Sequence, residues 1–120
     1  MNRRKVGSIY EDKACSYMTG IGMKILERNF RIREGEIDIV ARDGLTIVFT
    51  EVKFRKNAKA GSALDAIGLR KRLQIIRVAR VYLFFHHIPE NVPVRFDCIG
   101  IDDDKITYIR DAFDITGSVG

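Results

Sequence analysis

Residues 35–55 read GEIDIVARDGLTIVFTEVKFR, two apolar β-strand patterns that carry Asp38, Glu51 and Lys53 among Ile, Val and Phe. Asp43-Gly44 between alternating apolar runs is a strong short-range hairpin signal. A two-residue turn there predicts that Arg42 pairs with Leu45, Val40 with Ile47, Asp38 with Phe49 and Glu36 with Glu51. Side chains alternate with period two along a strand, so all of these, and Lys53, share one face. Asp38 and Glu51 then stand diagonally, roughly 7–8 Å apart. Three carboxylates on one patch repel one another. A hard divalent ion held by carboxylate oxygens and water removes that repulsion, and Mg2+ (or Mn2+) suits such ligands. The lysine beside them can position a water or stabilise charge developing on a phosphodiester. The competing reading is a charged, solvent-facing hairpin, because a bare Glu-x-Lys arises often by chance. Asp38 on the partner strand and the apolar neighbours favour the site.

Outward from the hairpin, Ser8 to about Gly20 has helical spacing in Tyr10, Ala14, Tyr17 and Met18, and residues 23–32 read as a strand. The hairpin strands are expected at 36–42 and 45–55. A long helical pattern follows from Leu64 to about His86, roughly 35 Å at the usual rise. Pro89 and Pro93 end it, and VRFDCIGID and KITYIRD read as a last strand pair around an acidic turn. The expected architecture is one α/β domain over residues 1–120, with a central mixed sheet flanked by helices in the order αβββαββ.

The 120-residue chain is 46% hydrophobic and 31% charged, as an ordinary globular domain is. It shows no membrane-length apolar run and no signal-peptide core at its start, so cytoplasmic residence is expected. Cys15 and Cys98 match no metal or redox spacing and read as reduced, buried small residues. The net charge of +5 suits a phosphate-bearing partner. Basic residues gather at Arg3 and Arg4, at Arg28, Arg31 and Arg33, at Arg55, Lys56 and Lys59, and at Arg70.

Other candidates carry alternatives. Glu11 completes Ser8-Ile9-Tyr10-Glu11, a Ser-x-x-Glu capping box, and so can be a helix cap instead of a ligand. Glu36 ranks as auxiliary, at the strand end beside Gly35. Lys71 stands in the apolar row Leu64, Ile67, Ile75, Val78 and Tyr82, either snorkelling or serving as a second cation near the site. Arg70 and Arg77 share a face of the same helix. His86 and His87 read as cap residues, favoured by the helix dipole.

The segments EDKACSYM, ILERNFR, GEIDIVARDG, VFTEVKFR, LDAIGLRKR, ARVYL and RFDCIGID resemble, in order and spacing, the YraN-like family of small bacterial proteins. That family looks like a branch of the PD-(D/E)XK nuclease superfamily, with a restriction-endonuclease-like fold, near the Holliday junction resolvases. The resemblance implies Asp38 as metal-binding aspartate, Glu51 as second acidic ligand, Lys53 as catalytic lysine and Glu11 as completing the acidic cluster. It departs from the family pattern at Tyr10, where a small residue is usual, and at Thr50 and Phe54, beside Glu51 and Lys53. The expected function is Mg2+-dependent hydrolysis of phosphodiester bonds in branched or structured DNA, with a two-fold homodimer suited to a junction's two equivalent strands. A catalytically silent nucleic-acid-binding module and a small interaction protein are the alternatives.

Overall fold

The computed structural model describes residues 3–55 and 67–119. Helix α1 (Arg3–Gly20) leads into a five-stranded sheet of β1 (Lys24–Ile32), β2 (Gly35–Asp43), β3 (Thr46–Arg55), β4 (Val94–Asp102) and β5 (Lys105–Phe113). Helix α2 (Leu69–Phe85) crosses between β3 and β4. Strands lie side by side in chain order, antiparallel except for β3 beside β4, which is parallel. The expected α/β class, mixed sheet and αβββαββ order all hold, consistent with a nuclease-like fold. The β3-to-β4 pairing is parallel because a helix-length crossover can return the chain to the same end of the sheet.

The helices cover opposite faces. Ala14 and Met18 of α1 pack on Ile39, Ala41, Val48, Ile99 and Ile101. Ile75, Val78, Ala79 and Tyr82 of α2, recurring at i, i+3, i+4 and i+7, pack on Val40, Ile47, Phe49, Phe96 and Phe113.

Three boundaries differ from the sequence reading. Helix α1 begins at Arg3, not Ser8, so Ser8 lies inside it and no capping box forms. The good helix formers Arg3, Arg4 and Lys5 extend it. Helix α2 starts after Gly68, whose extended backbone (φ −69°, ψ 166°) ends the approach, and its 17 residues span about 25 Å rather than 35 Å. Leu64, the expected start, lies outside the described residues.

The third difference moves the hairpin. Asp43 pairs with Thr46 and Arg42 with Ile47, leaving Gly44 and Leu45 as the turn. Gly44 takes φ +61° in the first turn position, where a hairpin of this length favours glycine, and Leu45 projects 84% exposed. Every predicted partner on β3 therefore moves two residues along the strand. Val40 faces Phe49, and the ladder ends at Ile39 opposite Thr50.

Candidate active site

Strand alternation breaks where the site begins. Ile37 and Ile39 are two apart on β2 and would share a face on a regular strand. Instead Ile37 packs in the α2 layer and Ile39 in the α1 layer. Across from them, β1 turns in the same place: Arg28 reaches α1 at Asp12, Phe30 packs edge-on against Tyr82 of α2, and Asn29 between them takes φ +56°. Asp38 lies between the pairs Arg28–Ile39 and Phe30–Ile37, at the centre of this twist. Asparagine is among the few residues that tolerate that backbone region.

Beyond Ile39 the Asp38 side chain takes over from the β2–β3 ladder. Its Oδ2 accepts the Val52 backbone N–H at 2.8 Å. The Asp38 carboxyl also hydrogen-bonds to that of Glu51, 5% exposed on β3. Burial, the bond to Glu51 and the Glu51 charge push Asp38 from 3.8 up to about 8; the Val52 N–H opposes this and Glu36 adds to it. Asp38 therefore holds its proton more tightly beside the Glu51 charge, where two negative charges would repel.

Lys71 approaches Glu51 from the first turns of α2, Nζ to Oε2 at 3.5 Å. Its place in the apolar row thus leads to the carboxylates, with the side chain still 34% exposed. Lys53, half-buried, follows Glu51 by two positions and so shares its side of β3. Cys98 of β4 lies in register with Glu51, and its thiol is pushed up to about 12 by burial, then by Glu51 and Asp38, with Lys53 pulling it down. That one sulfur thus lies within the fields of Asp38, Glu51 and Lys53 together. Sequence spacing gave Cys98 no role; only the parallel β3–β4 register places it beside the acids.

Glu36 and Glu11 are held elsewhere. Glu36 lies opposite Arg31 of β1, whose Nε and Nη2 donate to it at 3.1 and 2.7 Å, and the two-residue shift on β3 takes it out of register with Glu51. Glu11 accepts from Asn29 Nδ2 at 2.9 Å and lies 3.5 Å from the Arg28 guanidinium. Among the described residues, no three His, Cys, Asp or Glu converge on one ion position. The structure thus brings together Asp38, Glu51, Lys53 and Lys71, and ties Glu11 to the twisted β1. Of its partners, Arg28 stood out in the sequence only as part of a basic cluster, and Asn29 carried no signal. Tyr10 and Phe54, two places where the chain departs from the family pattern, stack on one another with ring centroids 3.9 Å apart. The larger Tyr10 thus finds its partner in the second departure.

Arg70 lies exposed on α2. Lys56 and Lys59 fall outside the described residues, as do the side chains of Arg3, Arg4 and Arg55. His86 caps α2 as expected, its Nδ1 3.0 Å from the Tyr82 carbonyl. Among the described residues, no helix is long and apolar enough to cross a membrane.

Residues 10–101 match the family model described as "Uncharacterised protein family UPF0102". The chain belongs to this family. UPF0102 is the YraN-like family that its motifs resemble. UPF0102 proteins similar to it include one from Lachnoclostridium phytofermentans, 42% identical over 98% of this chain and 100% of the relative. Another, from Clostridioides difficile, is 39% identical over 94% of this chain and 100% of the relative. A solved structure, "The structure of Pyrococcus Furiosus SfsA in complex with Ca2+", covers 86% of this chain and 63% of that one. At 11% identity and a TM-score of 0.33, it is too distant to bear on fold or chemistry.

Proposed function

We propose that this UPF0102 protein is a cytoplasmic, Mg2+- or Mn2+-dependent endonuclease of PD-(D/E)XK type that hydrolyses phosphodiester bonds in branched or structured DNA. One observation carries the reading: the half-buried Asp38 carboxyl, pushed upward, is set against the buried Glu51, which Lys71 contacts and whose side of β3 Lys53 shares. Such an arrangement is costly for the fold and is the kind found at functional sites. The donor set fits a hard divalent cation, because its charge replaces the proton on Asp38 and relieves the repulsion. Asp38 and Glu51 would hold it. When bound, such an ion polarises water and phosphate oxygens and offsets developing negative charge.

The chain's own groups supply the rest. The Val52 N–H fixes the Asp38 carboxyl against β3. Lys71 holds Glu51 by charge, and Lys53 extends from the same side of β3 to stabilise the negative charge that grows on the phosphate. Arg55, Lys56 and Lys59 follow directly in sequence and would grip the backbone without reading bases, as would Arg3 and Arg4. A two-fold dimer matches the two equivalent strands of a junction.

A specific observation also favours a second reading, a DNA-binding module without chemistry. Glu11 is engaged by Arg28 and Asn29, leaving two carboxylates where the resemblance implies three.

Cleavage of a labelled four-way junction, beside linear duplex and single strand, decides between them. With Mg2+ or Mn2+, the wild type is expected to cut the junction, and Lys53→Ala and Asp38→Ala to lose cutting by about 10²-fold or more. Salt-sensitive binding without cutting, equal in all three proteins, would instead establish the silent module.

A further inference from the structure

We propose that the outward face of α2 around Arg70 and Arg77 is a docking groove for the sugar-phosphate backbone of duplex DNA. This deepens the nuclease reading and rests on it for the class of substrate. Helix α2 carries five basic residues, Arg70, Lys71, Arg72, Arg77 and Arg80, and no acidic one. Two are already engaged. Lys71 is drawn to Glu51, and Arg72 donates to the carbonyls of Ile67 (2.6 Å) and Gly117 (2.8 Å). Arg70 and Arg77 are exposed and form no ion pair among the described residues. They lie seven positions apart, about 10 Å along one side of the helix. Together with Leu69, Leu73 and Gln74 they line a groove of about 530 Å³.

The groove has a fixed wall. Gln74 donates from Nε2 to the Glu34 carbonyl at 2.7 Å, and a Cβ at Gly35, which has φ +156°, would meet the Gln74 side chain at 2.7 Å. The β1–β2 turn is therefore locked against α2 beside Arg70 and Arg77. Arg80 continues the row but borders a separate recess that also contains Glu90, Asp111 and Asp114, so the cationic groove is strongest at Arg70 and Arg77.

Charge complementarity selects the occupant. Two arginines with no acidic neighbour on their helix suit a polyanion of closely spaced charges, and duplex DNA carries one per ~1.7 Å of axis. Lys71, adjacent to Arg70, turns round the helix to Glu51, so the Arg70 end of the groove lies next in sequence to the lysine that contacts the paired carboxyls. Leu69 and Leu73, both exposed, offer apolar surface to sugars between phosphates.

The test is fluorescence anisotropy of the full chain with a labelled DNA duplex in EDTA, from about 50 to 200 mM salt. Each backbone contact contributes about 0.9 to the slope of log affinity against log salt, so Arg70→Ala/Arg77→Ala is expected to flatten the slope by about 1.8. Arg70→Lys/Arg77→Lys should restore it, and Lys105→Ala, at the exposed start of β5, should leave it unchanged. Circular dichroism confirms that each variant is folded. An unchanged slope in the double alanine variant would overturn the groove, as would equal loss of affinity for duplex RNA or an acidic polypeptide. The nuclease reading is judged apart. Junction cutting with an unchanged slope would remove the groove alone, while a flattened slope without wild-type cutting would keep the groove and remove the chemistry.

Discussion

The sheet buries carboxylates in two places and treats them in opposite ways. Asp97 on β4 is 1% exposed and saturated with donors: Arg95 Nε and Nη2 at 2.9 and 3.0 Å, the Tyr108 hydroxyl, and the Asp111 N–H at 2.9 Å. Arg95 reaches on to Asp43 at 3.0 Å, where Arg110 also binds. Arg95 and Arg110 hold the Asp43 carboxyl below its usual value. Asp38 is instead set against another acid and pushed upward. Two arginines and a tyrosine make the first cluster a brace between the β2–β3 turn and β4–β5. The second has been left short of donors, and a fold tolerates that where something else is to bind.

Removing one group from each should separate them. Asp97→Ala leaves the Arg95 guanidinium, 15% exposed, without its bidentate partner, and is expected to cost about 3–5 kcal/mol in urea unfolding. Asp38→Ala removes a strained acid, so in the absence of divalent ions it should cost less than Asp97→Ala. A loss as large as that of Asp97→Ala would make the Asp38–Glu51 pair a second brace.

The pH dependence sharpens the contrast. Asp38 is raised on folding, so its contribution to stability is full below the ordinary carboxylate value and is lost as pH rises toward about 8. Asp43 is lowered, so its contribution is present above the ordinary value and lost as pH falls through the native one. Without divalent ions, the thermal midpoint should therefore fall from pH 4 to pH 8 in the wild type, and less steeply in Asp38→Asn. Added Mg2+ should raise it more at pH 8 than at pH 5, because an ion competes with the proton on Asp38. An Mg2+ effect equal at both pH values would argue against that competition.

The smallest expected effect lies at the Tyr10–Phe54 stack beside the site. Beyond the loss of buried area, Tyr10→Leu should lose about 0.5–1.5 kcal/mol of ring interaction. A double-mutant cycle with Phe54→Leu measures that coupling; an additive result would mean the two rings are merely adjacent.

Much of the fold was legible because its signals are local. The Asp-Gly hairpin, the 3.6-residue repeat of α2 and the alternation of β4 each announce an element from a few neighbouring residues. Asp38, Glu51 and Lys53 stood out because charges in apolar strands are costly. Lys71 stood out as a lone charge in an apolar row. The hairpin register was misread by a two-residue shift because Gly44 takes the first turn position, and that shift took Glu36 out of register with Glu51. Nothing local foretold Cys98 beside Glu51, Glu11 held by Asn29 and Arg28, or the Asp97 brace.

By itself, the sequence determined which residues were expensive to bury and which strands and helices would carry them, because propensity and alternation act over a few residues. Tertiary structure alone decided which charges meet: the twist at Asn29 and Asp38, the parallel β3–β4 register and the packing of α2. These depend on contacts between segments distant in the chain, whose mutual placement no local pattern encodes.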